Sequence, residues 1–332
     1  MSKKNFFKIG ICLVALVLLG TFQGLIQAAE KPIVVGNSKG VTMFPNPVCA
    51  YKQFDVEFGV KVEPKVFSAG LFANEALVAG SIDAAFGSDT ASLGAFSIGA
   101  PVRTVMIANV GGDAQAILAG PGSGITKITD LVGKKIGGTF GTSTHRLLVI
   151  VLEEEGIYDK VELFNMKMGD VAVALATKQV DAGFGWEPWP TLWEAKAGAK
   201  VFLRGGKYIA ATMIINFGQK LIRERPEDSY RLVLAYAKTL QFLRNASESE
   251  LNDAISFVSK AWKIDQELLA GGIKFLKFDP RFTPYVVQDA QKAAEFMFKI
   301  KKIGKLVDVE QFFYQDFINR AMKEHPELFN DL

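Results

Sequence analysis

The sequence predicts an α/β fold in two lobes, with mostly parallel sheets flanked by helices and a helical C-terminal tail. Three observations predict it. From residue 31 to about residue 216, short apolar strands alternate with amphipathic helices, the pattern that builds parallel sheets covered by helices. Beyond residue 216 the strand-like runs stop, while helical spacing continues to the end. Finally, residues 76–88 are echoed 98 positions later by residues 174–186, with six of thirteen positions identical: Ala76/Ala174, Leu77/Leu175, Asp83/Asp181, Ala84/Ala182, Phe86/Phe184 and Gly87/Gly185. Each copy reads as a helix, a tight polar turn and a short buried strand, so two lobes of related design are expected.

Taken in order, residues 33–35 and 62–67 read as strands, 71–79 as a helix and 84–86 as a strand. Residues 102–108 and 115–119 are strand-like, 135–137 a strand, 146–155 a helix and 161–164 a strand. Trp189 and Trp193, four apart, fall on a further helix. In the tail, Pro226 sits at a first-turn position with Glu227 and Asp228 behind it, where acids suit the positive end of a helix. Tyr230, Val233, Leu234, Ala237 and Leu240 then share one helical face. Helices over 248–260, 266–277, 286–303 and 309–323 complete the tail.

The first 28 residues read as a secretory signal. Lys3, Lys4 and Lys8 make a positive start, residues 9–22 an almost unbroken apolar run, and Ile26, Gln27 and Ala28 a cleavage position before Ala29. The apolar run is short of the ~20 residues that span a bilayer; a single-pass anchor is the alternative reading. Cys12 lies inside the run, away from a lipoprotein cleavage position. Loss of the leader's three lysines takes the 38 basic residues to 35, level with the 35 acidic ones, so the formal charge of +3 belongs to the leader. A balanced chain excludes a nucleic-acid protein built on a dense basic face. With 49% hydrophobic and 22% charged residues the chain is not disordered. Two cysteines and two histidines exclude a disulfide scaffold, a Cys-based zinc module and a His-rich metal centre. The expectation is a soluble exported chain of 304 residues (332 less 28) retained in a periplasm, with Cys49 its one cysteine.

In open parallel sheets ligands bind beyond the carboxyl ends of the strands. In the two echoes those ends are Gly87, Ser88, Asp89 and Thr90, and Gly185, Trp186, Glu187 and Pro188. If the lobes face each other, both segments line one cleft. Residues 138–145, Gly-Thr-Phe-Gly-Thr-Ser-Thr-His, join a strand to a helix. Thr142, Ser143 and Thr144 there offer hydroxyls and amides suited to an oxyanion, or simply to helix capping. The loop lacks the Gly-Lys-Ser/Thr ending of a phosphate-binding loop and the glycine spacing of a dinucleotide fingerprint.

His145 can bond a ligand or its own loop; as a catalytic base it needs a nucleophile and an orienting carboxylate, which the sequence does not supply. His325, before Pro326, reads as a surface residue. Trp186 can lay its face on a ligand and Glu187 can receive an amine, or Glu187 can serve as a helix N-terminal acid. Phe44, in the first loop, can wall the cleft. Cys49 is a candidate nucleophile or a small buried residue at the start of a helix. Asp113 and Gln115, after another strand end, are polar liners or turn residues. No arginine cluster marks the cleft.

The run from Ala76 to Gly87, the segment from Asp130 to Ile136, the Thr-Ser-Thr-His run ending at His145, Val180-Asp181-Ala182 leading to Trp186-Glu187-Pro188, and Arg225-Pro226-Glu227 opening a long helix occur in one order. In that order they resemble the periplasmic substrate-binding proteins of ABC importers for taurine, alkanesulfonates and nitrate, relatives of thiamine-precursor binding proteins. The resemblance implies the type II periplasmic-binding-protein fold. It implies crossover strands near residues 110–118 and 210–217, a discontinuous lobe one (31–115 plus 216–332) and a lobe two of residues 116–215. It implies a monomer that closes by a hinge on a small molecule and delivers it to a permease in the inner membrane, with no catalytic residue, metal, cofactor or nucleic acid.

In the sulfonate branches hydroxyls and amides at helix starts hold the oxyanion, which the resemblance transfers to Ser88, Thr90, Thr142, Ser143 and Thr144. Asp89, Asp113 and Glu187 depart from that pattern: unless paired they repel a simple anion and favour a zwitterion or a neutral ligand. Two alternatives come with the resemblance, a thiamine-precursor pyrimidine as ligand and a cysteine-dependent desulfinase on the same scaffold. Cys49 falls just past the loop that would carry the desulfinase nucleophile.

Overall fold

The computed structural model describes residues 31–332; the predicted leader, residues 1–28, lies outside the described residues. β1 (Ile33–Ser38) opens a first sheet. It is followed by α1 (Pro45–Lys52), the short α2 (Phe54–Glu57), β2 (Val62–Phe67), α3 (Gly70–Val78), β3 (Ala84–Ser88), α4 (Asp89–Ser97) and β4 (Val102–Val110). The chain then crosses to a second sheet, built from β5 (Gln115–Ala119), β6 (Lys135–Gly138), α5 (Ser143–Glu154), β7 (Glu162–Asn165), α6 (Met168–Ala176), β8 (Ala182–Trp186), α7 (Trp189–Ala197) and β9 (Lys200–Arg204). It returns with β10 (Thr212–Gly218) and ends in α8 (Gln219–Glu224), α9 (Pro226–Asn245), α10 (Glu248–Trp262), α11 (Gln266–Ile273), α12 (Pro284–Lys299) and α13 (Asp316–Glu324). No helix among the described residues is long and apolar enough to cross a membrane.

The strand orders are β2-β1-β3-β10-β4 and β7-β6-β8-β5-β9. In each sheet four strands run one way and one runs against them: β10 in the first and β5 in the second. The reversed strand is in each case the one that arrives from the other sheet. The two halves therefore share a topology, and the echoed residues occupy matching places, α3–β3 in one and α6–β8 in the other.

The two crossings, residues 111–114 and 205–211, lie against each other. A Cβ on Gly112 would come 2.1 Å from the Ile209 carbonyl oxygen, so only glycine permits that approach.

The inner strands of each sheet are buried on both faces, as helices on either side of a mostly parallel sheet require, while the outer strands β2 and β7 are largely exposed. On β3, Ala84 and Phe86 pack with α1 and α9, while Ala85 packs with Ala73, Leu77 and Phe96 of α3 and α4 and Ala293 of α12. In the second sheet Ile117, Ile136 and Phe184 meet the apolar stripe Leu147, Leu148, Val151 and Leu152 of α5, and Ala116 and Leu118 meet Val171, Leu175 and Trp193 of α6 and α7.

Two of the expected tail helices are interrupted. The run 266–277 leaves helix after Ile273, and Lys277 exchanges backbone hydrogen bonds with Val110 at 2.8 and 2.9 Å. The run 309–323 breaks between a 3-10 turn and α13, where Thr104 N–H donates to the Phe312 carbonyl (2.9 Å) and Tyr314 N–H to the Thr104 carbonyl (2.8 Å). β4 is the edge strand of its sheet, and the tail leaves its helical path to satisfy the exposed backbone groups of that edge.

Candidate functional site

The carboxyl end of β3 passes directly into α4. Ser88 Oγ caps that helix by accepting the Ala91 N–H at 3.1 Å. Asp89, buried, accepts on one oxygen from the Thr90 N–H and hydroxyl (2.9 Å for the latter), and on the other from the Thr212 N–H at 3.1 Å and hydroxyl at 3.0 Å. Burial raises its pKa, an effect the nearby Arg146 cation opposes.

The matching end of β6 leads through the Thr-Ser-Thr-His run into α5. Thr142 is the cap: its Oγ1 accepts the His145 N–H at 3.2 Å and donates to the Thr139 carbonyl at 2.8 Å. The Thr144 hydroxyl, fully buried, donates to Gln115 Oε1. His145 Nδ1 accepts the Gly141 N–H at 3.2 Å, and its ring stacks on Phe140 with centroids 4.5 Å apart. Burial, reinforced by Lys302, pushes the imidazole pKa down to about 4, so it is neutral at physiological pH and bonded to its own loop. Ser143 Oγ lies 3.1 Å from Thr90 Oγ1, so the starts of α4 and α5, one from each sheet, meet through two hydroxyls.

The acids resolve differently. Glu187 is 1% exposed. It accepts from Arg204 at 2.9 Å and from the Thr191 hydroxyl at 2.7 Å, so its charge is paired. Arg204 also donates to the Asp113 carbonyl at 2.8 Å and lies over the Phe275 ring at 3.7 Å, which pins the guanidinium on three sides. The Asp113 side chain stays half-buried at the first crossing. Gln115 is buried beside it, its amide donating to the Gly111 carbonyl at 3.3 Å. Trp186 is half-buried at the end of β8 and packs against the α6–α7 cluster.

Phe44, expected to wall the cleft, is instead fully buried in the core of the first sheet, where the chain turns into α1. Cys49 sits in the middle of α1, not at a helix start. It is buried, and desolvation pushes its thiol up to about 12, so it carries no thiolate at neutral pH.

Sequence reasoning missed two arginines. Arg204 ends β9. Arg146, 1% exposed, makes a two-pronged pair with Asp289 of α12 at 2.6 and 2.9 Å, and Asp289 also accepts the Ala210 N–H at 2.9 Å in the second crossing. A signal for this pair was present. Arg146 interrupts the apolar stripe of α5 and Asp289 that of α12, and a lone charge on a buried face needs a partner. Both arginines are already engaged by carboxylates, so neither forms a free cationic cluster.

A family model described as NMT1/THI5 like matches residues 48–249. The chain belongs to the NMT1/THI5-like family. The matched span holds every candidate residue except Phe44 and includes both crossings. Among relatives of this NMT1/THI5-like chain, a putative aliphatic sulfonates-binding protein of Bacillus subtilis is 25% identical over 307 residues, covering 90% of this chain and 87% of that one. Among solved structures, the periplasmic aliphatic sulphonate binding protein SsuA from Escherichia coli superposes with a TM-score of 0.77 at 20% identity, covering 87% of this chain and 99% of that one. The desulfurization enzyme DSZB superposes with a TM-score of 0.70 at 18% identity, covering 88% and 99%. These structures establish the two-lobed fold that the NMT1/THI5-like chain shares with both binding proteins and an enzyme.

Proposed function

We propose that this protein is an exported, non-enzymatic solute-binding receptor. It captures a small organic sulfonate, or a related oxyanion or zwitterion, between its lobes and delivers it to the permease of an ABC importer. One observation carries this reading: the N-termini of α4 and α5 converge from the two sheets, with Thr90 and Ser143 3.1 Å apart. Helix N-termini present unsatisfied N–H groups and a positive dipole, which suit an oxyanion without a full cation. Ser88, Thr142 and Thr144 hold the two helix starts in shape, while Gln115 receives the Thr144 proton and Trp186 stands opposite Gln115 on β8.

The local charges agree with an anionic group. Glu187 is neutralised by Arg204, and Asp89 is enclosed by four donors, so neither presents an unpaired charge. Asp113 is the remaining acid and suits an amine at the far end of a zwitterion. Lobe one comprises residues 31–115 and 216–332 and lobe two residues 116–215, with the paired crossings as hinge. Ligand contacts from both lobes favour the closed state through their differential affinity for it. A non-enzymatic reading fits a cysteine whose thiol is buried and protonated, and a His145 engaged with its own loop.

Isothermal titration against ethanesulfonate, taurine, nitrate and an aminomethylpyrimidine tests the reading. Saturable binding of a sulfonate, with nitrate and the pyrimidine weaker, is expected; failure of every sulfonate to bind would overturn it.

A further inference from the structure

Three consecutive hydroxyls open α5, and each has a single proton to donate. Thr142 donates its proton to the Thr139 carbonyl. Thr144 donates its own to Gln115 Oε1. Both acceptors belong to the same half of the molecule as α5, on its loop and on β5, and travel with it in any movement of the sheets.

Ser143 differs. Its neighbour, Thr90 Oγ1, donates to Asp89 Oδ1 at 2.9 Å, and a hydroxyl that gives its only proton to a carboxylate can only accept from its other neighbour. The bond at 3.1 Å therefore runs from Ser143 to Thr90 and on to Asp89, a directed relay across the two sheets. Asp89 is anchored in turn to the Thr212 N–H and hydroxyl at the start of β10. Thr90 stands on α4, in the other half of the molecule, and leaves Ser143 when the halves part.

We propose that Ser143 is an exchanged hydroxyl: it donates either to Thr90 or to an acceptor oxygen of the ligand, never to both. This rests on the sulfonate-receptor reading above and deepens it. Of the three loop hydroxyls, Ser143 alone recognises the ligand, and the group it meets must be an acceptor such as a sulfonate oxygen. Thr142 and Thr144 shape the loop. The Ser143–Thr90 bond also competes with the ligand, so Thr90 tunes affinity without touching it, as a positioning residue.

The test compares Ser143→Ala, Thr90→Val and Thr90→Ser in the full chain, using titration with ethanesulfonate and taurine and small-angle scattering without ligand. Loss of one hydrogen bond to a charged group should weaken binding by Ser143→Ala about tenfold. Thr90→Val should bind more tightly than wild type, because its ligand has no competitor, and Thr90→Ser, which keeps the hydroxyl, should restore the competition. Both Ser143→Ala and Thr90→Val should enlarge the radius of gyration of the unliganded protein.

Parallel weakening by Thr90→Val and Ser143→Ala would overturn the exchange, as would unchanged affinity in Ser143→Ala. If Thr90→Val fails to fold, Ser143→Ala still decides: an unaltered scattering curve refutes the bridge. A wild type that binds neither sulfonate refutes the receptor reading itself, a result distinct from parallel weakening in variants of a wild type that binds.

Discussion

Asp83 and Asp181 make the same hydrogen bond in the two sheets: one carboxylate accepts the Val34 N–H and the other the Lys135 N–H, both at 2.9 Å. Their backbones repeat the relationship, donating to the carbonyls of those same residues and accepting from Gly218 and Gly120. The sequence echo thus marks a repeated joint at the amino ends of β3 and β8, opposite the ends where the candidate ligand groups stand. Asp83→Ala and Asp181→Ala should each lower stability by roughly 1–3 kcal/mol, read as the urea midpoint, with ligand affinity unchanged. Asp83 should cost more, since its bond is partly buried while that of Asp181 is exposed.

The buried pair of Arg146 and Asp289 joins α5 to α12 across 143 residues of sequence. Removing one partner strands a charge away from water. Arg146→Met or Asp289→Leu alone should therefore destabilise by roughly 3–5 kcal/mol, and the double variant should recover much of that loss. A double-mutant cycle in guanidinium checks this; additive losses would mean that the two groups do not act as a pair.

His145 gives stability a pH dependence of known sign. Its folded pKa, about 4, lies below the ordinary 6.5, so between those values the unfolded chain binds the extra proton. Its contribution is complete above pH 6.5 and is lost as pH falls towards 4. Unfolding free energy should therefore decline across that window in wild type and decline less in His145→Phe. In a titration followed by nuclear magnetic resonance, His145 should stay neutral where a free histidine has already gained its proton.

Cys49 should resist alkylation by iodoacetamide at pH 8 in the folded protein and react once urea unfolds it, because its thiol is buried and protonated. Cys49→Ala should leave sulfonate affinity unchanged. Rapid modification of the native protein would contradict that burial.

What the sequence disclosed, and what it withheld, follows from the range of the interactions concerned. Alternation and helical spacing report which face of an element is buried, so the strands from Ile33 to Trp186 and the helix Pro226–Asn245 were legible from local pattern. The echo even revealed the shared topology, because the same joint demands the same residues twice. Periodicity does not say which distant group answers a buried charge. Arg204 with Glu187 and Arg146 with Asp289 were therefore invisible as pairs, although Arg146 and Asp289 each stood out on an apolar face. The interruptions at Lys277 and Phe313 escaped for the same reason: they respond to the open edge of β4, far away in sequence. Phe44 read as a possible cleft wall because a loop aromatic carries no mark of the direction in which the chain turns next.

The unequal threading of the two sheets carries a consequence for synthesis. The second sheet is drawn from one unbroken stretch, β5 to β9, whereas the first waits for β10, which alone joins β4 to β3. Until residue 218 has emerged, β4 has no neighbour in its sheet, and its outer edge is covered only as Lys277, Pro280 and then Phe312 and Tyr314 arrive. The inner segment can thus acquire structure first, while the outer one closes later, through strand pairings that span more than a hundred residues.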